Sequence, residues 1–200
     1  MSNSGGDLDN SQRIEGATDG TMIGNEGDRL KIAATISPVL KSTYSASSVF
    51  TVANSATDVF TISGSATKTI YITDITLYLT ATTGSNATIF GIRRSSLNTG
   101  GTSTLLTNLL LDTTNSAATA VVRSYTANPT LGTSVGNIFT TGIYVSGGGT
   151  TASRPFQWNL IPNQTQAITL RGTSQLFALN LNSVSFAGNV CRAQISWIEE

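Results

Sequence analysis

The chain has 200 residues, 39% hydrophobic and 11% charged, with 11 Lys+Arg balanced by 11 Asp+Glu, one Cys and no His. A zero net charge argues against a nucleic-acid partner, and the lone Cys excludes an internal disulfide framework and a Cys-rich metal site. The missing His removes the commonest general base and the commonest metal ligand, so composition argues against an enzyme before any motif is read.

Residues 1–31 hold six acids (Asp7, Asp9, Glu15, Asp19, Glu26, Asp28) and three bases (Arg13, Arg29, Lys31). They are rich in Gly, Ser, Asn and Asp and poor in apolar residues. This composition predicts an extended N-terminal arm over 1–30 that has no core of its own and is held by a neighbour. The start has neither the basic stretch nor the apolar stretch of a secretory signal, and no apolar run approaches the ~18 residues of a membrane helix. The expectation is a protein that stays in the cytoplasm where it is made and meets no membrane. The sequons Asn86-Ala87-Thr88 and Asn163-Gln164-Thr165 are then chance in a chain with 24 Ser and 32 Thr.

From residue 31 onward the hydrophobic period is 2, not 3.6. Phe50/Val52 and Phe60/Ile62 mark two strands, with a turn at Asn54-Ser55-Ala56-Thr57. In Thr69–Leu79, Ile70 and Ile72 share one parity while Ile75, Leu77 and Leu79 share the other. That switch predicts a bulge near Thr73-Asp74. Further strands are expected at 88–93, 104–111, 118–125, 137–145, 157–160 and 166–170. Leu105-Leu106 and Leu109-Leu110 have a helical spacing, but the Thr, Asn and Gly around them favour strand and loop. Phe177, Leu179 and Leu181 alternate with Ala178 and Asn180. Cys191, Ala193, Ile195 and Trp197 alternate with Arg192, Gln194 and Ser196. Each of these reads as a strand with one buried and one wet face. Turn clusters separate them, at Thr83-Gly84-Ser85-Asn86, Asn98-Thr99-Gly100-Gly101, Asn128-Pro129, Gly147-Gly148-Gly149 and Ala187-Gly188-Asn189. Roughly ten short strands at this spacing read as an antiparallel sandwich or barrel, and the fold expected over 31–200 is an all-β, antiparallel, jelly-roll-like β-sandwich.

The strings that match chemical motifs are weak. Ser65-Ala66-Thr67-Lys68 matches the S-x-x-K of serine acyl enzymes, but it lies between two strands and lacks the companion motifs, so it reads as a hairpin turn. Gly147-Gly148-Gly149-Thr150-Thr151 lacks the Gly-Lys-Ser/Thr ending of a phosphate loop. The body has three acids, Asp58, Asp74 and Asp112, too few and too scattered to suggest paired-carboxylate hydrolysis. Asp7, Asp9, Asn10 and Asp19 offer oxygen ligands without a calcium-loop spacing. No catalytic residue, cofactor or metal is assigned. Trp158 and Trp197 read as core or interface anchors and Cys191 as a buried thiol.

The body, residues 32–198, has eight bases against three acids. Its arginines suit interfaces, because a planar guanidinium pairs a carboxylate bidentately. Their expected partners are the acidic arm, the terminal Glu199-Glu200, or another protein. The candidate interaction residues are Asp19, Ile23, Asp28 and Arg29 in the arm, and Arg93, Arg94, Arg154 and Arg171 in the body.

Three stretches together carry a resemblance. They are Asp19-Gly20-Thr21-Met22-Ile23-Gly24-Asn25-Glu26-Gly27-Asp28-Arg29-Leu30-Lys31-Ile32, the run from Gly100 to Gly136, and the C-terminal part containing Gln166–Ser174, Phe177–Asn182 and Ile195–Glu200. They resemble virion structural proteins of tailed bacteriophages, which are small, β-rich and carry an N-terminal arm. The resemblance implies a non-enzymatic capsid decoration or cement protein that binds the major capsid protein and neighbouring copies of itself, as a homo-oligomer with a trimer favoured. It implies a place in the virion, assembled in the host cytoplasm. The alternative is a tail, baseplate or fibre component involved in host adsorption. On either reading, residues 1–30 are expected to fasten the domain to the particle by adding to a neighbour's sheet.

Overall fold

The computed structural model describes residues 25–26, 29–30, 41–53, 56–148, 155–159, 166–182 and 189–200. The chain divides into two units, residues 1–39 and 40–200. The described part of the first is a small antiparallel hairpin, β1 (Asn25–Glu26) against β2 (Arg29–Leu30). The remainder of the expected arm lies outside the described residues.

The second unit is built from β3 (Thr43–Thr51), β4 (Thr57–Ser63), β5 (Ile70–Leu79), β6 (Ser85–Arg94), β7 (Ser103–Leu105), β8 (Leu109–Leu110), β9 (Val121–Tyr125), β10 (Ser134–Val145), β11 (Phe156–Asn159), β12 (Ile168–Leu170), β13 (Leu176–Leu181) and β14 (Val190–Glu199). One sheet runs β10-β6-β13-β4-β9-β7. The other runs β11-β5-β14-β3-β8, with β12 also paired to β5. Every pairing between these strands is antiparallel. The two sheets pack face to face as an all-β sandwich.

Alternation explains the core. In β14, Cys191, Ala193, Ile195 and Trp197 are buried, while Arg192 and Gln194 are exposed. In β5 the expected bulge is present. Ser196 stands opposite Asp74 but Trp197 stands opposite Ile72, so Thr73 is the extra residue. It turns both parities of β5 inward, and Ile70, Ile72, Ile75, Leu77 and Leu79 are all fully buried. The Thr73 hydroxyl donates to the Ser196 carbonyl at 3.1 Å, which occupies the carbonyl beside the bulge. Tyr44 stacks on Trp197 at 5.8 Å and Phe50 on Phe60 at 6.4 Å. Fully burying such a side chain contributes roughly 1.5–3 kcal/mol.

Three expectations change. First, β13 has no wet face: Ala178 and Asn180 are buried like Phe177 and Leu179. β4 is likewise buried at every position. Loop residues Asn98 and Gly132 bond to these strands' side chains or their partners and cover the face turned away from the core. Second, 104–111 is not one strand. It breaks into β7, which joins the β10-β6-β13-β4-β9 sheet, and β8, which joins the other. Leu106 and Leu110 pack on the core, and no helical turn forms. Third, Ser65–Lys68 is not a hairpin turn, because β4 and β5 belong to different sheets. The segment carries the chain from one sheet to the other.

One side of the sandwich, between edge strands β10 and β11, is filled by aromatic rings. Phe139 lies 3.8 Å from Trp158, 5.2 Å from Phe156 and 6.3 Å from Phe177, centroid to centroid. Gly91 makes room for it, since a Cβ there would fall 2.2 Å from the Phe139 ring.

Candidate functional site

Residues 95–133, between β6 and β10, pair with the sheets only through the short strands β7, β8 and β9. Two buried carboxylates tie down the loops around them. Asp58, fully buried on β4, accepts from Arg94 Nε (2.6 Å) and Nη2 (2.7 Å), Asn98 Nδ2 (2.8 Å) and Asn180 Nδ2 (2.8 Å). Arg94 Nη1 donates to the Gly132 carbonyl at 2.8 Å, and the Gly132 N–H donates to Asn98 Oδ1 at 2.8 Å. The ring of bonds is closed, and both carboxylate oxygens carry two donors each. A charge in such a place is tolerable only because it is paired and fully hydrogen-bonded.

Glu199 forms the second knot. Its Oε1 accepts from the Thr119 N–H (2.9 Å), the Ala120 N–H (3.0 Å) and the Trp197 indole (2.9 Å). Its Oε2 accepts from the Thr119 hydroxyl at 2.7 Å, and Lys68 Nζ lies 3.8 Å away. Burial pushes its pKa up, but the bonds from Ala120, Trp197 and Thr119 outweigh that and hold it below the ordinary 4.5. Glu199 shares the parity of Cys191, Ala193, Ile195 and Trp197, and that alternation was the signal that it points inward.

These knots reassign the arginines. Arg94 was expected at an interface, but it is 4% exposed and its guanidinium is committed to Asp58 and Gly132. It is an internal strut. Glu199 and Glu200 meet lysines rather than arginines: Glu199 faces Lys68, and Glu200 pairs with Lys41. Arg93 and Arg171 are brought together by one residue. Gln175 Oε1 accepts from Arg93 Nη2 at 2.9 Å and from the Arg171 backbone N–H at 2.7 Å. Arg29 sits in β2 opposite Glu26. Asp19, Ile23, Asp28 and Arg154 lie outside the described residues.

The strings with possible chemistry have structural uses. The Ser65 hydroxyl is buried and accepts the backbone N–H groups of Thr67 and Lys68, both at 3.2 Å, while the Lys68 amine faces Glu199. That geometry makes a turn, not a nucleophile with its base. Burial raises the Cys191 thiol well above its ordinary range, which makes it inert. Asp112 caps a local turn through the Thr114 N–H and hydroxyl. Among the described residues no three His, Cys, Asp or Glu side chains come together to hold a metal ion. A cleft of about 440 Å³ opens beside Thr61, Ser63, Asn98, Arg123 and Tyr125. Its hydroxyl lining is what a chain so rich in Ser and Thr provides anywhere, so the lining selects no ligand.

What the surface does offer is apolar. Leu105, Leu109 and Leu111 are 60%, 59% and 66% exposed within one seven-residue segment, while Leu106 and Leu110 point inward. β10 adds Val135, Ile138 and Tyr144. The sequence suggests one strand over 104–111 and does not show which leucines face out, because the break between β7 and β8 resets the parity. In comparisons with known protein families, curated proteins and solved structures, nothing matches this chain.

Proposed function

We propose that this chain is a non-enzymatic structural protein of a bacteriophage particle, a decoration or cement protein that binds the head shell and neighbouring copies of itself. The reading joins the virion-protein resemblance to a surface suited to contact rather than to chemistry. The observation that carries it is the exposure of Leu105, Leu109 and Leu111 on a segment whose backbone is pinned to both sheets. A pinned segment loses little further entropy when a partner covers it, so apolar burial goes into binding. Each leucine taken from this exposure to full burial contributes about 1–2 kcal/mol, and a shell repeats that contact many times.

We also read the strand order as a jelly roll. Leaving out β7, β8 and β9, the chain visits the two sheets in the order β3, β4, β5, β6, β10, β11/β12, β13, β14, giving four-stranded orders β11/β12-β5-β14-β3 and β10-β6-β13-β4. This is the arrangement of eight strands in two sheets that gives jelly rolls their double Greek key.

Stained gels of purified particles test the reading. A head-shell protein is present in hundreds of copies, comparable with the major capsid protein. A band at tail-component level would move the assignment to the tail, and absence from particles would end it. In the same assay, the Leu105→Ser/Leu109→Ser/Leu111→Ser variant is expected to fold and to fail to load.

A further inference from the structure

The β10 edge of the β10-β6-β13-β4-β9-β7 sheet is left open in an unusual way. β10 is twelve residues long, the longest of the described strands, and it pairs only with β6. Among the described residues nothing pairs with its outer edge. Proteins usually blunt such an edge with charge, proline or a bulge. Residues 134–145 contain no charged residue and no proline. Bulges occur in the first half, where Val135 and Ile138 are the extra residues, but Phe139–Val145 runs in unbroken register against Ser85–Gly91.

We propose that Phe139–Val145 pairs antiparallel with the same segment of a second copy, about a two-fold axis at Gly142, so that two sheets become one. An uncharged strand meets itself without repulsion, and a two-fold axis perpendicular to a strand sets it antiparallel to its mate. Gly142 is the midpoint of the bulge-free run, so centring there pairs the most residues. This register sets Phe139 opposite Val145, Thr140 opposite Tyr144 and Thr141 opposite Ile143 of the second copy. Phe139, Thr141, Ile143 and Val145 face inward, so the two aromatic-filled sides would join across the axis. Thr140, Gly142 and Tyr144 are exposed, with Tyr144 at 66%. The ring of Tyr144 would cover the glycine-centred gap, an aromatic–β-branched pairing of the kind that stabilises sheets. The inference rests on the fold alone and does not depend on the virion reading.

Sedimentation equilibrium of the full chain tests it, with charge variants at two exposed positions that leave the fold alone. The natural chain should form a dimer. Thr140→Lys/Tyr144→Lys puts like charges opposite each other twice and should weaken the dimer about tenfold or more. Thr140→Lys/Tyr144→Glu puts opposite charges there and should restore it. Gly142→Cys should cross-link to a dimer under mild oxidation, since facing Cα atoms of an antiparallel pair lie within disulfide reach and Cys191 is buried. A monomer at every concentration would overturn the proposal. So would an oligomer indifferent to the lysine pair, or a Gly142→Cys chain that stays uncross-linked.

Discussion

On one side of the sandwich, residues 95–133 join the sheets through the short strands β7, β8 and β9, and two carboxylates, Asp58 and Glu199, hold the loops around those strands by backbone and amide groups. On the other side, between β10 and β11, four rings close the gap: Phe139, Phe156, Trp158 and Phe177. The difference is one of direction. A carboxylate takes donors from fixed positions, so it orders loops that have no core of their own. Rings fill volume without naming a partner, and they leave the main chain of β10 unspent at its outer edge. The charged side is a finished structure, and the aromatic side is one that another chain can extend.

The largest effect expected from breaking this comparison is at Asp58. Asp58→Ala leaves the Arg94 guanidinium buried without its counter-charge and should destabilise by about 3–5 kcal/mol in a denaturant titration. On the aromatic side, Phe139→Ala removes the ring that touches the other three. Because that ring is only partly buried, about 2–3 kcal/mol is expected. Equal losses in the two variants would contradict the division between the sides.

Glu199 sharpens the contrast. Its folded pKa lies below the ordinary 4.5. Its contribution is therefore fully present above the unfolded value and lost as pH falls through the depressed folded value. Glu199→Gln should cost about 1–2 kcal/mol near neutral pH, and the gap to the natural chain should close as pH falls below the ordinary 4.5 and through the depressed folded value. Thermal melts of both proteins across that range measure it. The smallest stability effect is expected at Leu109→Ser, less than about 0.5 kcal/mol, because the side chain is mostly in water already. Its effect should appear in particle loading instead.

The alternation of Cys191–Trp197 and the parity switch at Thr73 were legible because period 2 is a local property of the backbone. The second buried face of β13 was not, because it depends on loops more than 40 residues away in sequence, as the 82-residue span from Asn98 to Asn180 through Asp58 illustrates. Arg94 looked like a surface arginine for the same reason: its partner Asp58 is 36 residues away and on a strand two places across the sheet. Glu199 could have been placed by extending the C-terminal alternation one step further. The open edge of β10 was invisible, since strand order within a sheet is fixed by pairing partners and not by the strand's own residues.

The most direct test of the functional account is immunogold labelling of purified particles with an antibody to this chain, viewed by electron microscopy. The account predicts gold distributed over the heads. Gold confined to the tails or fibres, or no gold at all, would contradict it.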